Sequence, residues 1–163
     1  MFAGLVRRQP VRSALIAVAL VAAAMPLVAY VVVPALVKST LLEDLPATAA
    51  SSVAPPVETV RRGELVRINA ADYGSGLVRI VKIGPDRFLR FDDVDIAGAP
   101  DMYVYLSDRS DGQPGTFVDL GKLKATNGSF NYAIPTNVDI TLVRSVVVWC
   151  RQFSVTVTFA VVE

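Results

Sequence analysis

The sequence predicts an all-β domain, an antiparallel β-sandwich or a barrel-like fold, preceded by one N-terminal transmembrane helix. Two observations predict it. Residues 14–37 form an apolar run without a charged residue. Beyond residue 58, apolar and polar side chains alternate with a period of two, and turn-forming residues interrupt this pattern at short intervals. A chain of 163 residues has room for one domain of ordinary size and an appendage.

The apolar run at 14–37 is predicted to cross a membrane. At the usual helical rise it would be about 36 Å long, which spans a hydrocarbon core of about 30 Å. Arg7, Arg8 and Arg12 precede the run, whereas Lys38 alone follows it closely. The positive-inside rule therefore places the N-terminus in the cytoplasm and the remaining chain outside it. Such a short, positively flanked anchor suits a bacterial cell envelope.

A cleaved signal peptide is the alternative interpretation of this segment. Residues 22–24 are three alanines and could serve as a cleavage site. Cleavage there would leave the apolar residues 27–37 as an unprotected N-terminus, so we favour an uncleaved anchor.

Residues 38–58 are predicted to be a tether. Pro46, Pro55 and Pro56 stand among small Ala, Ser and Thr residues, a composition that does not build a core. We expect an extended spacer that holds the domain away from the bilayer. The chain is thus divided into a cytoplasmic N-terminus at 1–13, an anchor at 14–37, a tether at 38–58 and a β domain at 59–163.

The β domain is predicted to contain at least six strands, at 63–70, 76–83, 87–96, 101–107, 144–150 and 153–159. In the last of these, four apolar side chains alternate with hydroxyl residues and are expected to face the core: Phe153, Val155, Val157 and Phe159. Residues 146–149 are apolar in succession, so 144–150 is predicted to be a central strand that is buried on both faces. Asn127-Gly128 is typical of a tight turn.

The composition excludes several classes of function. There is no histidine, so the usual Ser-His and Cys-His pairs and the histidine-ligated haem and zinc sites are excluded. One cysteine, Cys150, forms neither an internal disulfide nor a multi-cysteine metal site. The net charge of +1 is spread over scattered residues, which argues against a nucleic-acid partner. A stand-alone enzyme is not predicted.

Several blocks of residues, in order, resemble the DM-thirteen domain family. The blocks are residues 88–95 (FLRFDDVD), 99–107 (APDMYVYLS), 119–124 (DLGKLK), 128–135 (GSFNYAIP), 138–140 (VDI) and 145–155 (SVVVWCRQFSV). The resemblance covers roughly residues 60–163. It implies a small β-rich module outside the cytoplasm that is proposed to act in electron transfer with cytochrome-like partners.

The resemblance also implies which residue acts. The family's proposed redox residue is the cysteine that matches Cys150 in the pair Trp149-Cys150. The family often carries a histidine in its early Gly-rich strand, but the corresponding residues 71–76 contain none. Any role of that histidine in binding a cofactor or activating the thiol is therefore open in this chain.

The residues themselves leave two interpretations of Cys150. A redox thiol must be reachable, and nearby positive charge must favour its thiolate. Arg151 follows directly, but on a strand its side chain points to the opposite face. The alternative is that Cys150 is a small buried filler of the core.

Aromatic and acidic residues supply further candidates. Trp149, Tyr103 and Tyr105 are candidates for an aromatic partner surface, with core or cross-strand packing as the alternative. Three carboxylates around one turn are candidate calcium ligands, with turn-forming or solvated acids as the alternative: Asp93, Asp95 and Asp101.

Two hypotheses of function follow. The first is a membrane-anchored redox or electron-transfer accessory module that acts through Cys150 with a partner protein. The chain offers no cofactor site of its own, so any haem or flavin is expected on that partner, and the lipid bilayer is expected to bind residues 14–37. The alternative is a non-enzymatic β-sandwich that binds a protein, a glycan or an envelope component, with Cys150 structural.

Overall fold

The computed structural model describes residues 10–29, 33, 37–46 and 56–163. Helix α1 comprises Pro10–Leu27. Within the described residues, no helix has the length and apolar character needed to cross a membrane, so the structure gives no support to the predicted anchor. Parts of that anchor (30–32 and 34–36) and of the predicted tether (47–55) lie outside the described residues.

The described residues form nine strands in two sheets. The strands are β1 (Thr40–Leu42), β2 (Val57–Glu64), β3 (Gly74–Ile83), β4 (Asp86–Ile96), β5 (Met102–Ser107), β6 (Phe117–Lys122), β7 (Asn127–Ile134), β8 (Ser145–Cys150) and β9 (Val155–Val161). The larger sheet has the order β1-β7-β4-β3-β2 and the smaller has the order β6-β5-β8-β9. All neighbours are antiparallel except β1 and β7, which are parallel.

One apolar core lies between the two sheets. The larger sheet contributes Ile80, Phe91 and Phe130, and the smaller sheet contributes Val104 and Val148; all five are fully buried. Because a sheet with one apolar face must cover it, this packing of sheet on sheet is what the alternation in the sequence requires. The predicted all-β, sandwich-like fold is confirmed, with sheets that are mostly rather than entirely antiparallel because β1 and β7 are parallel.

Strand β8 has the predicted central place. It pairs with β5 on one side and with β9 on the other, and Val146, Val147 and Val148 are fully buried. The continuous apolar run at this position was therefore a correct indication of burial on both faces.

The first strand of the β domain was wrongly predicted at 63–70. The strand is β2, at Val57–Glu64, and residues 65–73 form a connecting loop. In this loop the Asn69 side-chain oxygen accepts hydrogen bonds from the backbone N–H groups of Ala71 (2.7 Å) and Asp72 (2.8 Å). This asparagine turn satisfies the backbone locally and ends the extended conformation.

The predicted inward face of the last strand was also wrong in part. The register of β8 and β9 shifts between Val148 and Trp149, so a bulge changes which side chains point inward. Val157 is in the core as predicted. Phe153 is exposed because it lies in the turn 151–154 before β9, and Val155, the first residue of β9, is also exposed. Phe159, which was also predicted to face the core, is outside the core cluster. Its ring packs against Gly112 instead, where an added Cβ would lie 2.7 Å from the ring.

The beginning of the predicted tether lies against the domain. Strand β1 pairs with β7, with Leu41 opposite Gly128. The backbone N–H of Ser39 donates to Thr126 Oγ1 at 2.9 Å, and Lys124 Nζ lies 3.0 Å from Glu43 Oε1. The backbone N–H of Asn131 also donates to the Glu43 carboxylate, at 2.9 Å. Composition alone does not reveal this strand, because its three residues gain their hydrogen bonds from a distant part of the chain.

Gly128 makes the close approach of β1 possible. Asn127-Gly128, predicted as a tight turn, begins β7 instead. Gly128 has a φ of +104°, and a Cβ at this position would lie 2.2 Å from the carbonyl oxygen of Leu41. Only glycine fits both the backbone conformation and the contact.

We expect Gly128→Ala to detach β1. Gly121 is a matched control, since its φ is +105° and a Cβ there would meet nothing within 4 Å. Gly128→Ala should lower the free energy of unfolding by about 2 kcal/mol more than Gly121→Ala, because Leu41 must move. Denaturant unfolding and amide exchange of residues 40–42 measure the effect. An equal loss in the two variants would show that the contact with β1 contributes nothing.

Candidate functional site

Cys150 closes the inner face of β8. It pairs with Met102 of β5 and with Val155 of β9, and it belongs to the core. Its side chain is fully buried, and the thiol donates a hydrogen bond to the carbonyl oxygen of Pro100 over 2.9 Å. The thiol is therefore held in one orientation and is shielded from solvent.

A surface cleft of about 350 Å³ lies at the end of the sandwich where β8 ends with Cys150. Tyr73, Ala99, Pro100, Phe153 and Val155 contribute to its lining. Pro100 accepts the thiol hydrogen bond and Val155 is the strand partner of Cys150. The cleft and the thiol therefore have two neighbouring residues in common, Pro100 and Val155.

The aromatic candidates lie on the opposite face of the smaller sheet. Trp149 is half-buried, lies outside the core cluster and pairs with Tyr103. The ring centroids of Tyr103 and Tyr105 are 6.5 Å apart, and Tyr105 stacks on Phe117 at 4.1 Å. The rings of Tyr103, Tyr105 and Phe117 form one aromatic row. The two-residue period correctly predicted that Tyr103 and Tyr105 share a face. That face is the one opposite to Cys150.

Arg151 binds this aromatic row and is directed away from the thiol. Its Nε donates to the hydroxyl of Tyr105 at 2.7 Å, and its Nη2 contacts Asp119 at 2.5 Å. The guanidinium carbon lies 3.4 Å from the centroid of the Tyr103 ring. The charge next to Cys150 in sequence is thus paired on the other face of the sheet, where it stabilises the aromatic row.

The acidic candidates face separate partners. Asp95 pairs with Lys38, Asp93 bonds with Ser129, and Asp101 lies 3.7 Å from Lys122. Within the part of the chain that the structure describes, no three acidic or cysteine side chains form a group that could hold a metal ion. The turn places these carboxylates near one another in sequence but distributes them over different neighbours.

The sequence analysis did not predict the cleft, nor that Tyr73 lines it. Tyr73 lies in the stretch 71–76, where the family resemblance gives a histidine and this chain has none. Arg67 stacks on its ring at 4.5 Å, and Lys38 lies 5.7 Å from the ring centroid. The departure from the family pattern at 71–76 was the available signal for this position.

Asp92, in β4, forms two ion pairs with arginines. Its two oxygens accept hydrogen bonds from Arg79 Nε at 2.6 Å and from Arg90 Nε at 2.9 Å. Burial raises the pKa of Asp92, but the two arginine hydrogen bonds outweigh it and hold the pKa below its usual value.

We expect these ion pairs to stabilise the domain at neutral pH and to fail in acid. Because the folded pKa is the lower one, their contribution is complete above the unfolded value of about 4 and is lost as the pH falls further. Asp92→Asn should lower the free energy of unfolding by about 2 kcal/mol at neutral pH, with a smaller difference in acid. Asp86→Asn, at an exposed residue where β4 begins, is the control. A deficit in Asp92→Asn that does not vary with pH would contradict the assignment.

The comparisons with known proteins identify the family. The model of the electron transfer DM13 family matches residues 68–162, more than half of the chain. The matched range includes β3 to β9 and Cys150, whereas α1, β1 and β2 precede it. No curated protein and no solved structure matches the chain. The family match confirms the resemblance drawn from the residue blocks, and the chain belongs to the electron transfer DM13 family.

Proposed function

We propose that this chain is an electron-transfer accessory module, attached to a membrane outside the cytoplasm, that works with a partner protein carrying the cofactor. Membership of the electron transfer DM13 family supports the class of function. A partner is needed because the sequence contains no histidine and a single cysteine, so it lacks the side chains that usually hold haem or a cluster.

Membrane attachment is proposed through the apolar residues 14–37. This run contains no charged residue, and α1 exposes large apolar side chains, among them Leu15, Val18 and Leu20. Exposed apolar side chains along a helix are costly in water and favourable against lipid. The three arginines before the run support an outward-facing domain.

Cys150 is the proposed redox residue, and the cleft lined by two of its neighbours is the observation that carries this assignment. Pro100 accepts the thiol hydrogen bond and Val155 is the strand partner of Cys150, and both line the cleft. A partner group in the cleft would therefore contact residues that adjoin Cys150. Direct contact with Sγ requires residues 97–100 to move, because the thiol is bonded to the Pro100 carbonyl.

The second candidate function is a non-redox binding domain in which Cys150 is structural. Complete burial of the thiol and its hydrogen bond to Pro100 favour this alternative. Buried cysteines act as small apolar fillers, and burial makes a thiol inert.

The rate at which a small thiol-modifying reagent reacts with Cys150 distinguishes the redox function from the non-redox binding function. In the full chain we expect modification of the native protein to be much faster than global unfolding, because only residues 97–100 need to move. Methyl methanethiosulfonate supplies the rate of modification, and amide exchange of the β8 core supplies the rate of global opening. Cys150→Ser keeps a hydrogen-bond donor for Pro100 and serves as the unreactive control.

Modification that occurs only at the rate of global unfolding would assign Cys150 to the structural role. The redox assignment would then be wrong, whatever the partner.

A further inference from the structure

Exposed apolar side chains gather at the end of the sandwich that holds Cys150. Ile68 is 45% exposed, Phe153 is 48% exposed and Val155 is 41% exposed. Phe153 and Val155 line the cleft together with Tyr73, and the backbone N–H of Ile68 donates to the Asp72 carbonyl in the same loop. We call this surface, made by residues 66–73, 97–101 and 150–155, the thiol end.

The apolar N-terminal segment enters the domain at the thiol end. Lys38, the first residue after it, pairs with Asp95 and lies over the ring of Tyr73. Ser39 then bonds with Thr126, and β1 begins at Thr40. No free spacer therefore separates residue 37 from the domain, and the thiol end is the part of the sandwich adjacent to residue 37.

Two cationic side chains and a tyrosine beside the apolar side chains suit a membrane interface, although Asp72 and Asp101 also lie at this end. Lys38 and Arg67 both contact the ring of Tyr73. Long cationic side chains and tyrosine rings are favoured at the level of the lipid headgroups, where an apolar stem and a polar tip are both accommodated. Apolar side chains just beyond them reach the boundary between headgroups and acyl chains.

We propose that the thiol end is a lipid-binding surface that lies on the membrane and inserts Ile68, Phe153 and Val155 into its interface. This inference rests on the proposed membrane attachment of residues 14–37. It places the cleft beside Cys150 at the bilayer surface, so that a redox partner reaches the cleft from the membrane side.

The opposite end of the sandwich supplies a matched control. Leu142 is 66% exposed and precedes β8 at Ser145, whereas Cys150 is the last residue of that strand. Five residue steps along a strand separate the two ends by about 17 Å. On the proposed orientation Leu142 stays in water although it is the more exposed apolar side chain.

Quenching of tryptophan fluorescence by brominated lipids tests the orientation. Trp149 is the only tryptophan, so a Trp149→Phe background carries either Phe153→Trp or Leu142→Trp in the full chain. The chains are reconstituted in vesicles of phosphatidylcholine and phosphatidylglycerol with brominated acyl chains. We expect tryptophan at position 153 to be quenched several-fold more than tryptophan at position 142.

Equal quenching at the two positions, or none at position 153, would overturn the proposal, as would failure of the chain to bind the vesicles. If the fluorescence of the tryptophan at position 153 changes only when a second membrane protein is added, and not with brominated lipid alone, the surface binds a protein partner and the proposal is wrong.

Amide exchange of residues 66–73 in wild-type chain provides a second measurement that needs no substitution, with slower exchange expected in vesicles than in detergent. Neither readout involves thiol chemistry. Failure of the lipid contact is therefore distinguishable from failure of the proposed redox function.

Discussion

The apolar contact between the two sheets is the constraint on which the rest of this domain depends. With one cysteine the chain has no internal disulfide, so the burial of side chains such as Phe91, Phe130 and Val148 supplies the main favourable term in folding. Cys150 is part of that contact. Any chemistry at its sulfur must therefore act within the packing that keeps the domain folded, which explains why access to the thiol is the central question about this protein.

The two faces of β8 separate two kinds of surface. On the inner side, Cys150 is turned toward the core and Pro100. On the outer side, Trp149 lies in the sheet that carries the row of Tyr103 and Tyr105, where Arg151 is bound. Arg151 is paired with Tyr105 and Asp119 on the outer side, so its charge is directed away from the thiol. The cleft and the entry of Lys38 lie at the same end of the domain.

The sequence predicted the parts of the fold that depend on local alternation. The central strand β8 and the sandwich-like fold followed from the apolar pattern. A strand that is buried on both faces is apolar throughout, and a strand that is buried on one face alternates between apolar and polar residues. The parts that depend on specific or distant hydrogen bonds were missed. The Asn69 turn ended a strand that the apolar pattern continued, and a turn at residues 151–154 left Phe153 outside β9.

The site was predictable to the same extent. The residue blocks identified the family and named Cys150, but its burial and its bond to Pro100 depend on how residues 97–100 fold over the end of β8. Tyr73 had no signal beyond its place in a stretch that departs from the family pattern. Strand β1 had none, because three residues in a proline- and alanine-rich region do not show a period.

The parallel pairing of β1 with β7 has a practical consequence for work on the isolated domain. A recombinant fragment that starts at residue 56, after the alanine- and proline-rich stretch, would look complete by composition and would contain the whole family match. It would leave the β7 edge with unpaired backbone groups where Leu41 now covers Gly128. Bare strand edges recruit other chains, so such a fragment would be prone to aggregate during expression, and a soluble fragment should begin no later than residue 37.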